Sequence, residues 1–400
     1  MNAKMYKILK SYILAVILGI LILSCRTAEQ KPLPPMTADL KAEAMDYIAE
    51  SLRETVEVVG DSFPVATENG VWDKDTGGWT GGYFAGMLWM MYQATEESFW
   101  LDQAHRYTEL LEPNKDDVNN IDVGILFWPS FDLAYAVTGI EKYREVGLAG
   151  ARTMMKRFIP SGGYLQNWGR LGEPEQKGFV IVDCLINLDH LYWAFSETGD
   201  SSFYRAATSH ADRTRVSHVR PDGSSYQVVE FDPNTGRMLR GFKKQGYTDE
   251  STWSRGQSWG IYGFTRVYRH THDQVFLATA MKMADWFIAH LPEDYVPYWD
   301  FSAPGIPNDA RDTSAASMAS SALLELATLV EDPDKADYYK KSAEKILASL
   351  TVNYLTRDLP GRNHGVLTGG TYFYEIGRSV NQANIWGDFY YLEALMRWGG

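Results

Sequence analysis

Six short stretches set a carboxylate, a guanidinium or an indole at the head of an apolar run. They are Trp79-Thr80, Asp122, Asp183, residues 255–259, residues 312–314 and residues 384–388. Two carboxyls that share a cavity push each other's titration apart, so one can serve as acid while the other stays charged. An aspartate before an apolar run is also a favoured helix N-cap. Context tips Asp122 and Asp183 toward chemistry. Ile121-Asp122-Val123-Gly124 and Val182-Asp183-Cys184-Leu185 surround each carboxyl with apolar neighbours, which favour the neutral acid. Arg255 adjoins Gly256, which leaves its planar fork room to clamp a carboxylate. Trp79, Trp253, Trp259, Trp299 and Trp386 each adjoin Gly, Ser, Thr or Asp, a setting less usual for core indoles than for sugar platforms.

Helical periodicity must position these groups. Period-3.6 spacing predicts helices over 38–57, 81–95, 99–111, 123–137, 140–157, 180–195, 201–217, 253–270, 273–290, 314–330, 335–352 and 385–397. Those beginning near 81, 123, 180, 253, 314 and 385 are apolar and rich in Gly, Ala or Ser. The helices between them are amphipathic. Residues 335–350, for example, set Tyr338, Tyr339, Ala343, Ile346 and Leu347 on one side. Alternation of buried and amphipathic helices predicts an all-α double ring, with the inner helices opening on one mouth. That mouth is where the six stretches would meet. Residues 224–231 alternate as a strand, Asp232-Pro233-Asn234-Thr235-Gly236 turns, and residues 237–243 return, which predicts an inserted β-hairpin. Long loops at 158–177, 291–312 and 354–383 are of the kind that carries function.

Composition narrows the function. The chain has 400 residues, 45% hydrophobic and 22% charged, a globular balance. A net charge of −13 argues against nucleic acid as a partner. Two cysteines and eight scattered histidines form no metal-ligand spacing, and there is no phosphate loop or nucleophile elbow, so neither metal nor cofactor is expected. Lys4, Lys7 and Lys10 precede an apolar run that ends at Ser24-Cys25. The pattern is that of a secretory signal. Leu21-Ile22-Leu23-Ser24-Cys25 resembles a bacterial lipobox, which implies cleavage before Cys25, lipidation of its thiol and a membrane-tethered place in the cell envelope. The expected organisation is signal 1–24, tether 25–36 and one catalytic domain 37–400. Cys184 is then left as a free buried thiol.

The ordered motifs resemble glycoside hydrolase family 88, the unsaturated glucuronyl hydrolases. They are Trp79-Thr80-Gly81-Gly82-Tyr83, Asp122-Val123-Gly124, Asp183-Cys184-Leu185-Ile186-Asn187, Arg220-Pro221-Asp222-Gly223-Ser224 and Gln245-Gly246-Tyr247. Ser251-Thr252-Trp253-Ser254-Arg255-Gly256-Gln257-Ser258-Trp259, Trp299-Asp300-Phe301 and Asp312-Thr313-Ser314-Ala315-Ala316 complete them. The resemblance implies an (α/α)6 barrel, in agreement with the twelve segments above. It implies Asp183 as general acid and then base, Asp122 as its partner, and Trp79, Gly241, Lys243, Gln245, Arg255 and Trp259 as substrate contacts. The implied substrate is an oligosaccharide ending in a 4,5-unsaturated uronate. Arg255, permanently charged, would hold its carboxylate without shaping the pH profile. Three positions depart from the family pattern: Ile121 and Gln227 replace histidines, and Lys243 replaces a threonine. These bear on which sulfates or leaving sugars are accepted, and Lys243 and Lys244 are candidate anion contacts.

Three other functions are weaker on these residues. An unsaturated rhamnogalacturonyl hydrolase would share barrel and chemistry, but the 255–259 motif favours family 88. A glycan-binding lipoprotein would not need both Asp122 and Asp183. A sugar epimerase of this fold would want a pair of catalytic histidines.

Overall fold

Small side chains decide which helices lie inside. The helix Thr313–Leu329 is built on Thr-Ser-Ala-Ala-Ser-Met-Ala-Ser-Ser-Ala and is buried on every side through its first turns. In the computed structural model, which describes residues 33–360 and 364–399, helices of this kind alternate with amphipathic ones. Cys25, the signal 1–24 and most of the tether lie outside the described residues.

We number the helices in chain order: α1 Ala38–Val59, α2 Gly81–Thr95, α3 Ser98–Leu110, α4, α5 Glu141–Met155, α6 Leu188–Thr198, α7 Ser201–His218, α8 Ser254–Thr271, α9 Gln274–Ala289, α10 Thr313–Leu329, α11 Pro333–Asn353 and α12 Ile385–Arg397. Helix α4 is composite: Val123–Phe127, a π-turn Trp128–Asp132 and Leu133–Thr138. Pro129 accounts for the π-turn, because a proline inside a helix removes one N–H and crowds the preceding turn.

The even-numbered helices form the inner ring. Each packs on the next, and α12 closes back on α2. Gly82 lets α2 and α4 approach backbone to backbone: a Cβ there would lie 2.5 Å from the carbonyl oxygens of Ile125 and Leu126. The odd helices wrap outside, and α1, first in the chain, packs on α12, the last. These are the six hairpins of an (α/α)6 barrel. Outer helices begin with side-chain caps: Thr37, Asp200, Asp273 and Asp332 accept from the first-turn N–H groups of α1, α7, α9 and α11. On α11 the buried stripe holds Tyr339, Ala343, Ile346, Leu347 and Leu350. Tyr338 is exposed, correcting its expected place on that side. Each fully buried Leu or Ile contributes roughly 1.5–3 kcal/mol.

The expected hairpin is present as β6 Val228–Phe231 and β7 Met238–Phe242, joined through Asp232 and Gly236. It gains a third strand, β5 Phe179–Ile181, antiparallel to β6. This corrects the helix expected from residue 180. The β-branched run pairs with the hairpin, a 3-10 turn Val182–Asn187 follows, and regular α-helix begins only at Leu188. Two hairpins lie in segments expected as loops, β3 Phe158–Ile159 with β4 Tyr164–Leu165 and β8 Gly370–Phe373 with β9 Arg378–Gln382, and a further one, β1 Phe63–Glu68 with β2 Val71–Asp75, lies between the first two helices.

Candidate active site

The starts of α2, α4, the 182–187 turn and α8 open on one cavity of about 580 Å³. None of the four has a side-chain cap, unlike α10 and α12, which Asp312 and Asn384 cap. Asp122 and Asp183 therefore do not serve as caps, and the structural alternative for both falls away. Both carboxyls line the cavity.

Asp122 is placed by its neighbours on α4 and the 3-10 turn. A Cβ on Gly124 would lie 2.4 Å from the Asn187 carbonyl, so only glycine allows this approach. Asn187 then bridges: its Nδ2 donates to Asp122 Oδ1 at 3.2 Å and its Oδ1 accepts from Ile125 N at 2.9 Å. Asp183 Oδ1 has no hydrogen-bond partner among the described residues. Burial raises Asp122 to about 6, against the Asn187 hydrogen bond and the charge of Arg157. Burial raises Asp183 further, to about 7, with Arg255 opposing and the charge of Asp122 adding. Near neutrality Asp122 is mostly ionised while Asp183 still holds much of its proton. The pair is divided as an acid and a charged partner.

Arg255 lines the cavity but is 2% exposed and already engaged. Its Nη1 donates to Asp312 Oδ2 and to the Thr371 carbonyl, each at 2.6 Å, and Nη2 to the Tyr372 carbonyl at 2.7 Å. It thus anchors β8 to α8 and α10. Nε–H and one Nη2–H keep no acceptor among the described residues, leaving two donors for a ligand. Its charge lowers Asp183 more than any other group does. The charge of Arg255 thus bears on Asp183, which sets a measurable alternative to the expectation that Arg255 leaves the pH profile alone.

Aromatic groups line the walls. Trp79, Trp253 and Trp259 face the cavity. Trp79 donates to the Tyr372 hydroxyl at 3.1 Å, and Trp259 Nε1 is buried without a partner. Trp386 stands behind Trp79, 4.9 Å between rings. Trp299 belongs elsewhere: it stacks on Tyr374 at 4.2 Å and donates to Asp309.

Gln245 also lines the cavity, held by Gln227. Gln227 Oε1 accepts from Lys244 N at 2.8 Å and Gln245 N at 2.6 Å, and Gln245 Nε2 donates to the Tyr372 carbonyl at 2.8 Å. Gly241 and Lys243 are not among the residues that line the cavity. Gly241 packs against the Tyr226 ring, and Lys243 is paired with Glu375. Lys244 lines it instead, its Nζ 3.7 Å above the centre of the Trp168 ring. Strand β7 ends at Phe242, and the chain that follows it turns Lys244 and Gln245 to the cavity. Asn187, Trp168, Tyr372, Phe373 and Ile376 complete the site and were not foreseen as site residues. The alternation through Gly370-Thr371-Tyr372-Phe373 was the available signal for β8. Cys184 is buried and free, as expected. Among the described residues no cluster of His, Cys, Asp or Glu could hold a metal.

A double ring of helices with two unequal carboxyls in an indole-lined mouth defines a carbohydrate-active enzyme. A family model described as Glycosyl Hydrolase Family 88 matches residues 47–275, and the chain belongs to that family. It is 37% identical to the unsaturated glucuronyl hydrolase of Bacillus sp. strain GL1, over 89% of this chain and 94% of that one. It is 34% identical to an unsaturated chondroitin disaccharide hydrolase of Streptococcus pneumoniae, over 91% of this chain and 93% of that one. The crystal structure of an unsaturated glucuronyl hydrolase from Streptococcus agalactiae superposes with a TM-score of 0.86 at 33% identity, covering 91% of this chain and 93% of the other.

Proposed function

We propose that this enzyme removes a 4,5-unsaturated uronate from the non-reducing end of lyase-generated oligosaccharides. The observation that carries the proposal is Asp183, a carboxyl near neutral pKa whose Oδ1 has no partner among the described residues, beside the ionised Asp122. A C4–C5 double bond next to the ring oxygen is a vinyl ether. Asp183 gives its proton to C4, and positive charge develops at C5 and the ring oxygen. Asp122 stabilises that charge. Water then adds at C5 and returns a proton to the Asp183 carboxylate, so the acid is regenerated. The resulting hemiketal opens and releases the neighbouring sugar. The anomeric carbon is not attacked, so carboxyl spacing does not set a stereochemical outcome as it does in ordinary glycosidases.

The two open donors of Arg255 suit the uronate carboxylate, and Lys244 on Trp168 offers the cavity a second positive charge. Lys243, paired with Glu375, acts on substrate only through the wall it fastens. The test is a panel of unsaturated disaccharides, followed by loss of the ultraviolet absorbance of the conjugated double bond. Turnover of at least one member is expected, and inertness toward all of them would refute the proposal.

Lipidation at Cys25 is proposed on residues 1–25 alone. Among the described residues no helix is long and apolar enough to cross a membrane. Labelled fatty acid should enter the wild-type protein and not Cys25→Ser, and equal labelling of both would exclude the anchor.

A further inference from the structure

Arg157 follows α5 and is 2% exposed, yet every acceptor it has is a main-chain carbonyl. Its Nε donates to Gln166 O, Nη1 to Val118 O and Nη2 to Gly169 O, each at 2.7 Å, with Trp168 O at 3.5 Å from Nη2. Arg255, the other fully buried guanidinium among the described residues, holds the Asp312 carboxylate at 2.6 Å. A buried charge without a counter-ion is costly, and a fold keeps one only where something compensates. The three carbonyls compensate in part. They belong to two segments that meet at the cavity: Val118 lies in the loop that leads to Asp122, while Trp168 and Gly169 line the wall.

We propose that Arg157 is a positioning residue of the active site, fastening the loop before Asp122 to the Trp168 wall and setting a fixed positive charge behind Asp122. This rests on Asp122 being the charged partner in the reaction. The groups facing Asp122 are Tyr83 from α2, Asp183 and Cys184 from the 3-10 turn, and Arg157 from the end of α5. Asn187 adds its neutral amide. Arg157 is the cation of this set, and with Asn187 it opposes the effect of burial on Asp122. It thereby helps keep the two carboxyls of the site in different charge states.

Two variants separate charge from fastening: Arg157→Gln removes both, and Arg157→Lys keeps the charge but not the fork. The measurement is a pH–rate profile on one unsaturated disaccharide, with thermal melting to establish folding. Without the cation Asp122 protonates more readily, so in Arg157→Gln the acid limb should move up by about one pH unit. In Arg157→Lys the limb should stay in place while KM rises severalfold. A folded Arg157→Gln protein with the wild-type acid limb would overturn the proposal. Should Arg157→Gln fail to fold, Arg157→Lys decides alone: a displaced limb or an unchanged KM overturns it. A wild-type enzyme inert on every unsaturated disaccharide would instead refute the assigned reaction, a separate outcome.

Discussion

Two pairs of carboxylates in the barrel behave in opposite ways. At the mouth where the inner helices begin, Asp122 and Asp183 sit with few partners, and burial raises both. Asp189, in the first turn of α6, and Glu325, near the end of α10, lie among cations from the last turns of α8 and α12. Asp189 accepts from Arg266 at 2.7 Å and His270 at 2.8 Å, while Glu325 pairs with Arg397 at 2.8 Å and Arg269 at 3.2 Å. Burial pushes both up as well, but Arg266 and its neighbours outweigh it and hold both below the usual carboxylate range. Burial alone does not make an acid catalyst. What differs is the supply of cations: Arg266, Arg269, His270 and Arg397 close the end that holds Asp189 and Glu325, while fewer act at the open mouth.

Substitutions at the open end should cost rate and not stability. Asp183→Asn should lower turnover by roughly 10²–10⁴-fold. Its folded pKa lies above the unfolded value, so the ionised group opposes folding once the pH exceeds about 4. The amide removes that burden, and the melting temperature at neutral pH should hold or rise. A folded variant with near wild-type turnover would remove Asp183 from the mechanism. Asp122→Asn should slow kcat comparably while KM changes little, because the lost stabilisation belongs to the transition state. A loss under tenfold, about 1.4 kcal/mol, would reduce Asp122 to a spacer.

The closed end should respond in reverse. Arg266→Met leaves Asp189 and Glu325 short of a cation, a change worth about 3–5 kcal/mol of stability, while the folded fraction keeps its kcat. Asp189 has a depressed folded pKa, so its contribution is complete above about pH 4 and is lost as the pH falls below that. Thermal melting across acid pH checks this; a melting curve indifferent to Arg266 would erase the contrast. Arg255→Ala spans both behaviours. It should raise KM, destabilise by exposing Asp312 as an unpaired buried charge, and move the basic limb upward by about one pH unit or less. An unmoved basic limb would mean that Arg255 does not act on Asp183.

The ring architecture and the acid pair were legible because their signals are local. Periodicity marks each helix, and each site aspartate stands at the head of its own apolar run. Asn187 needed Gly124, sixty-odd positions away in sequence, to come against it (about one packed turn in space). Trp168 reaches the cavity from the loop after β4, and Tyr372 from a hairpin whose pairing sequence spacing does not reveal. Arg157 joins Val118 to Gly169 through the backbone, which leaves no side-chain motif to read. Gly241 and Lys243 were misplaced for a different reason. Beyond the end of β7 the chain is irregular, so spacing along it does not tell that Lys244 and Gln245 line the cavity while Gly241 and Lys243 do not.

The pH–rate profile of the wild-type enzyme on one unsaturated disaccharide tests the central claim, that Asp183 acts as a protonated acid beside an ionised Asp122. The rate should fall on the acid side as Asp122 protonates near 6 and on the basic side as Asp183 deprotonates near 7, with the optimum just on the acid side of neutral. A rate that keeps climbing into alkaline pH would contradict it.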